Sequence, residues 1–102
     1  MKNQASLPRF AEICDLFRQY GVSYAALFGS RAFGDNKSDS DYDILVEFAP
    51  DSKTTFLGMM KLQGELEDVL GKPVDLVTRE DLSQYFRDEV LKHALPFYAA
   101  KN

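Results

Sequence analysis

Hydrophobic and polar positions along the chain change period several times, and each change predicts a new element. Leu7, Phe10, Cys14 and Phe17 recur three and four residues apart, which predicts one apolar face of a helix over Leu7 to Tyr20. Ser6 stands where it can cap the start of that helix, and Gly21 where it can end it. Cys14 lies on the apolar face and reads as a small core residue. Val22 to Phe28 is short, apolar and aromatic, which suits a buried strand; a polar, glycine-containing stretch then runs through Ser40. From Tyr42 to Phe48 the period becomes two. Tyr42, Ile44, Val46 and Phe48 share one face of this strand, and Asp41, Asp43, Leu45 and Glu47 share the other.

Ala49-Pro50-Asp51-Ser52 breaks the strand, and helical spacing returns from about Thr54 to Leu70, with Phe56, Met59, Met60, Leu66, Val69 and Leu70 as the expected inner face. Gly71 stops this helix and Pro73-Val74-Asp75-Leu76-Val77 reads as a third strand. Thr78 with Asp81 three residues later resembles a capping box opening a last helix. Tyr85, Phe86, Val90, Leu91 and Ala94 continue it, and Pro96 is expected to end it. The order helix, strand, loop, strand, helix, strand, helix predicts an α/β (α+β) fold. It is a small mixed sheet of about three to four strands packed against helices.

Composition narrows the class. The 102 residues are read as one domain, residues 1–102, and 45% hydrophobic content with eight Phe and five Tyr argues for a packed core. One cysteine cannot pair within the chain, and no Cys/His spacing suits a structural zinc. No apolar run approaches the ~20 residues of a membrane span, and the first residues lead into no signal-peptide core. A soluble, cytoplasmic protein is expected, with no membrane partner. The net charge of −4 makes a general nucleic-acid clamp a poor reading, because such clamps depend on Lys and Arg.

The candidate chemistry lies in Asp41-Tyr42-Asp43. Two carboxylates two apart on a strand point to the same side and repel unless a cation sits between them. The pair is either a solvated strand face or part of a site for a hard cation such as Mg²⁺. Asp75 interrupts an otherwise apolar strand, which is costly unless the carboxylate is paired or metal-bound. If that strand lies beside Tyr42–Phe48, three carboxylates converge into a site for one or two divalent ions, an arrangement suited to phosphoryl displacement. Gly29-Ser30, at the end of a strand, can cradle a phosphate through close backbone approach and a hydroxyl donor, and Arg31 can add charge.

Rival motifs fail on particular residues. Gly29 to Gly34 has Walker-type spacing, but Asp35-Asn36 stand where Lys-Ser/Thr is needed. Asp39, Asp41 and Asp43 imitate a calcium loop, yet Ile44 takes the glycine position and Pro50 the place of the twelfth-position Glu. His93 is the one histidine and has no nucleophile beside it, so it reads as a surface or capping residue.

Gly29-Ser30-Arg31-Ala32-Phe33-Gly34 followed by Ser40-Asp41-Tyr42-Asp43-Ile44-Leu45-Val46 resembles the signature of DNA-polymerase-β-like nucleotidyltransferases. In particular the chain is similar to the minimal nucleotidyltransferase (MNT) proteins, with Val74-Asp75-Leu76-Val77 as the strand of the third carboxylate. The resemblance implies that Asp41, Asp43 and Asp75 hold Mg²⁺, and that Gly29 and Ser30 hold the β- and γ-phosphates of ATP. Asp75 would also help deprotonate or orient an attacking hydroxyl. It further implies transfer of AMP to a tyrosine of a partner HEPN-domain RNase toxin, which silences that toxin. Phe33 departs from the pattern, since many relatives carry a basic residue there. Two other functions are compatible with the sequence: an antitoxin that only occludes its toxin, and a transferase acting on a small molecule. The apolar stretch Leu95-Pro96-Phe97-Tyr98 is expected to pack back onto the core rather than form a docking edge.

Overall fold

The computed structural model describes residues 7–28 and 41–100, without the side chains of Tyr85 and Phe86. Helix α1 (Phe10–Tyr20) leads into strands β1 (Val22–Phe28) and β2 (Tyr42–Phe48), then α2 (Phe56–Leu70) and β3 (Val74–Thr78). A short 3-10 turn (Arg79–Asp81), α3 (Gln84–His93) and β4 (Leu95–Ala99) follow. The four strands form one sheet in the order β3-β2-β1-β4. β1 is antiparallel to both β2 and β4, whereas β3 is parallel to β2. A parallel neighbour needs a crossover, and α2 supplies it. The mixed α/β sheet expected from the sequence is therefore present.

The core lies on the sheet face covered by α1 and α2, where Tyr42, Ile44, Val46, Val74 and Leu76 meet Ile13, Phe17, Leu62 and Leu66. β2 keeps the predicted alternation, with Tyr42, Ile44 and Val46 in this core and Phe48 packed at its margin. Gly21 ends α1 with φ 75°, a left-handed conformation that glycine adopts without penalty, and its N–H reaches the Phe17 and Arg18 carbonyls.

Several boundaries and faces differ from the sequence reading. α1 begins at Phe10 after Arg9, which has φ 54° and provides no side-chain cap; the expected cap, Ser6, lies outside the described residues. The buried stripe of α1 is Ile13, Leu16 and Phe17, while Phe10 is 40% exposed and Cys14 half-buried. Two apolar stripes overlap on this helix, and contact with α2 selects the one through Ile13 and Leu16. In α2 burial begins one turn in, at Met59, and continues through Leu62, Leu66 and Leu70. Phe56 and Leu57, in the first turn, are 72% and 78% exposed, and Met60 also faces out. Thr78 and Asp81 do form the predicted reciprocal contacts, with the Thr78 N–H donating to Asp81 Oδ2 at 2.9 Å, but they close the 3-10 turn rather than opening α3.

Pro96 does follow the end of α3, but the residues around it form β4 against β1. Proline is tolerated there because β4 is an edge strand. Phe97 is buried and its ring lies 5.9 Å from that of Phe17, so this segment packs back on the core as expected. The expected contributions of Tyr85 and Phe86 lie outside the described side chains. Among the described residues no helix is long and apolar enough to cross a membrane.

Candidate active site

Asp43 and Asp75 pair at the start of the parallel strands, with Asp41 near enough to act on Asp43 electrostatically. In the β2–β3 register Tyr42 lies opposite Val74 and Asp43 opposite Asp75. The Tyr42 N–H donates to the Pro73 carbonyl at 3.0 Å, which stitches the two strand starts together. Val74 and Leu76 point into the core, so Asp75 and its neighbour Asp43 share the opposite face of the sheet. Asp41, just ahead of β2 and two residues from Asp43, falls on that face too. Asp41 and Asp75 are exposed and Asp43 is half-buried.

Burial raises the pKa of Asp43 above the usual carboxylate value, and the charges of Asp75 and then Asp41 raise it further. The three acids are thus close enough to feel one another. Among the described residues no group of three acidic, histidine or cysteine side chains already forms a cage for one ion. The arrangement is an electronegative cluster that a hard divalent cation would relieve, and carboxylate oxygens are the ligands such a cation prefers. The donor chemistry fits Mg²⁺.

One premise of the sequence reading is corrected. Asp75 is not a buried acid in need of compensation, because β3 is an edge strand and only Val74 and Leu76 face the core. The conclusion that Asp75 joins the face of Asp43 stands on register alone. Gly29, Ser30 and Arg31, the expected phosphate-binding residues, lie outside the described residues, as does Phe33. The last described residue of β1, Phe28, pairs with Asp43. His93 lies 3.5 Å from Glu89 one turn earlier, in keeping with a surface role. A groove of about 350 Å³ between α1 and α2, lined by Glu12, Asp15, Leu16 and Glu65 among others, includes none of the three acids.

Sequence reasoning missed two side chains near the site. Glu67 Oε2 accepts from the Val74 N–H at 3.0 Å, and Gln63 Oε1 accepts from the Leu76 N–H at 3.2 Å. Their signal is a polar pair four residues apart, each directly following a buried leucine, Leu62 and Leu66.

Comparison with known proteins bears on the family and the fold. Residues 11–102 match the family described as polymerase beta, nucleotidyltransferase. A protein of Methanocaldococcus jannaschii assigned to the protein adenylyltransferases is 38% identical over 84 residues, covering 82% of this chain and 88% of its own. The protein adenylyltransferase MntA of Thermococcus cleftensis is 36% identical over 81 residues, covering 79% and 80%. A solved structure assigned as a minimal nucleotidyltransferase superposes with a TM-score of 0.73 at 35% identity, over 87% of this chain and 89% of that one. The MNT antitoxin complexed with a tri-AMPylated HEPN toxin of Shewanella oneidensis shares the fold, with a TM-score of 0.63 at 23% identity over 88% and 69%. With its acids in register on one sheet face, the chain has the minimal nucleotidyltransferase fold and belongs to the polymerase-β nucleotidyltransferase family.

Proposed function

We propose that this chain is a protein adenylyltransferase that moves AMP from ATP to a tyrosine hydroxyl of a HEPN-domain RNase toxin, and so neutralises it in the cytoplasm. The observation that carries the reading is the pairing of Asp43 with Asp75, in a chain whose relatives are protein adenylyltransferases. The complex of an MNT antitoxin with a tri-AMPylated HEPN toxin supports the choice of partner.

In this reading Asp41, Asp43 and Asp75 hold one or two Mg²⁺ ions, which when bound neutralise charge on the triphosphate. Gly29 and Ser30 hold the β- and γ-phosphates and Arg31 adds positive charge; Phe28, the residue before Gly29, pairs with Asp43. Asp75, the exposed member of the paired acids, orients the acceptor hydroxyl and takes up its proton. The hydroxyl oxygen bonds to the α-phosphorus, the bond from that phosphorus to the bridging oxygen breaks, and pyrophosphate leaves. Such chemistry depends on positioning and charge rather than on a covalent intermediate, which suits a domain of this size.

The test incubates the chain with ATP, Mg²⁺ and its HEPN partner and reads the partner's intact mass. Successive AMP increments that localise to tyrosine are expected, and Asp41→Ala with Asp43→Ala should abolish them. A partner of unchanged mass would refute the proposal. Neutralisation in cells by the double alanine variant would point instead to occlusion, and turnover of a small molecule without a protein partner to a metabolite transferase.

A further inference from the structure

We propose that Gln63 and Glu67 of α2 are positioning residues for Asp75, holding the edge strand that carries it in place against β2. The inference rests on the role given to Asp75 in the proposed function. Among the described strands β3 has a single neighbour, β2, which it pairs over five residues. Its outward amides would otherwise be free to fray or to take up a foreign strand. Instead, the amides of the two residues flanking Asp75 are both taken by one helix: Val74 donates to Glu67 and Leu76 to Gln63. On the inner side the Tyr42 N–H holds the Pro73 carbonyl. Residues 73–76 are therefore gripped from both sides, with Asp75 in the middle.

A force makes this grip necessary. Asp75 faces Asp43 across the strand pair, and like charges drive the two strands apart. An edge strand can relieve that repulsion by shifting outward, since no described strand pairs beyond it. Gln63 and Glu67 oppose the shift from a fixed platform, because Leu62 and Leu66 beside them are fully buried. Each side chain acts through the backbone next to Asp75, by its bond to the Val74 or Leu76 amide. Supporting residues of this kind commonly decide whether a metal-binding carboxylate stands where it is needed.

The test compares two variants of the full chain. Gln63→Ala with Glu67→Ala removes both acceptors, whereas Gln63→Glu with Glu67→Gln exchanges the side chains and keeps an acceptor oxygen at each place. Amide exchange at Val74 and Leu76 should quicken about tenfold in the alanine pair, the scale of one lost hydrogen bond. Mn²⁺ added without nucleotide should broaden the Asp75 signals less than in the native chain, relative to those of Asp43. In transfer assays kcat should fall roughly ten- to a hundredfold with KM for ATP unchanged, as for second-layer supports of metal ligands. The acceptor-keeping pair should behave as native in all three.

Native Mn²⁺ broadening at Asp75 and native kcat in the alanine pair would overturn the inference. So would an acceptor-keeping pair that falls as far as the alanine pair. Should the double alanine variant not fold, the single variants Gln63→Ala and Glu67→Ala carry the same readouts. A native chain that neither binds Mn²⁺ nor transfers AMP would refute the proposed function itself. An active native chain with unaffected variants would refute only the role of Gln63 and Glu67.

Discussion

Replacing Asp43 by Asn should make the metal-free protein more stable. Asp43 lies opposite Asp75 in the parallel register, and neighbouring strands are ~4.8 Å apart. Two unit charges at about 5 Å repel by ~0.8 kcal/mol in water and by ~3 kcal/mol at an effective dielectric constant of 20. Asp75 and Asp41 are exposed, so the water-like end applies, and the whole repulsion amounts to about 1 kcal/mol. Asparagine keeps the shape and removes the charge. For a domain of this size the gain corresponds to roughly 4–8 °C in Tm. The assay is thermal and urea unfolding in EDTA at neutral pH. Because the pKa of Asp43 is raised, the folded state holds that proton more tightly than the unfolded chain does. The native protein should therefore gain stability from this group as pH falls from neutral through the raised pKa, and Asp43→Asn should lose that component. With ATP and Mg²⁺ the order should invert, the native chain gaining and the variant not. An Asp43→Asn protein no more stable than the native one in EDTA would refute the reasoning.

Gly21→Ala should cost more than ~2 kcal/mol in urea unfolding, because its φ is 75° and the new Cβ would sit 2.6 Å from Ser52 Oγ, which is held by the Tyr20 carbonyl. Gly71→Ala, at φ 73° with open space around it, should cost only about 1 kcal/mol. Leu62→Ala, at a fully buried position, should lose ~2–5 kcal/mol, while Phe56→Ala at an exposed one should stay within about 0.5 kcal/mol. The Tyr20 hydroxyl donates to Glu65, and that bond, followed by burial and the Glu65 charge, pushes its pKa from 10.0 up to about 12. Its contribution is complete below pH 10 and lost as pH rises through about 12, so chemical denaturation across that window should show a decline that Tyr20→Phe lacks.

β1 and β2 were legible because their signals are local. β1 and β2 run over the residues that alternation and apolar run length predict, and the two faces of β2 are those read from its period. The acid cluster was legible only conditionally: spacing places Asp41 beside Asp43, but Asp75 joins them through a parallel pairing that no local pattern encodes. The helical faces were harder. Phe56, Leu57 and Met60 are as apolar as Met59, Leu62 and Leu66, so tertiary contact and not residue type decides which stripe is covered. β4 escaped notice because Pro96 reads as a breaker, and only its place at the sheet edge makes a strand acceptable there.

The strand order also bears on how the molecule is made. Of the four described strands β1 and β2 are made before the others and form the central pair of the sheet, and β3 and then β4 join on opposite flanks. Each newly synthesised strand thus finds a vacant border, and no pairing already laid down has to reopen to admit it. Nascent chains arrested at increasing lengths should accordingly show the β1–β2 register unchanged once β3 has joined it and brought Asp75 beside Asp43.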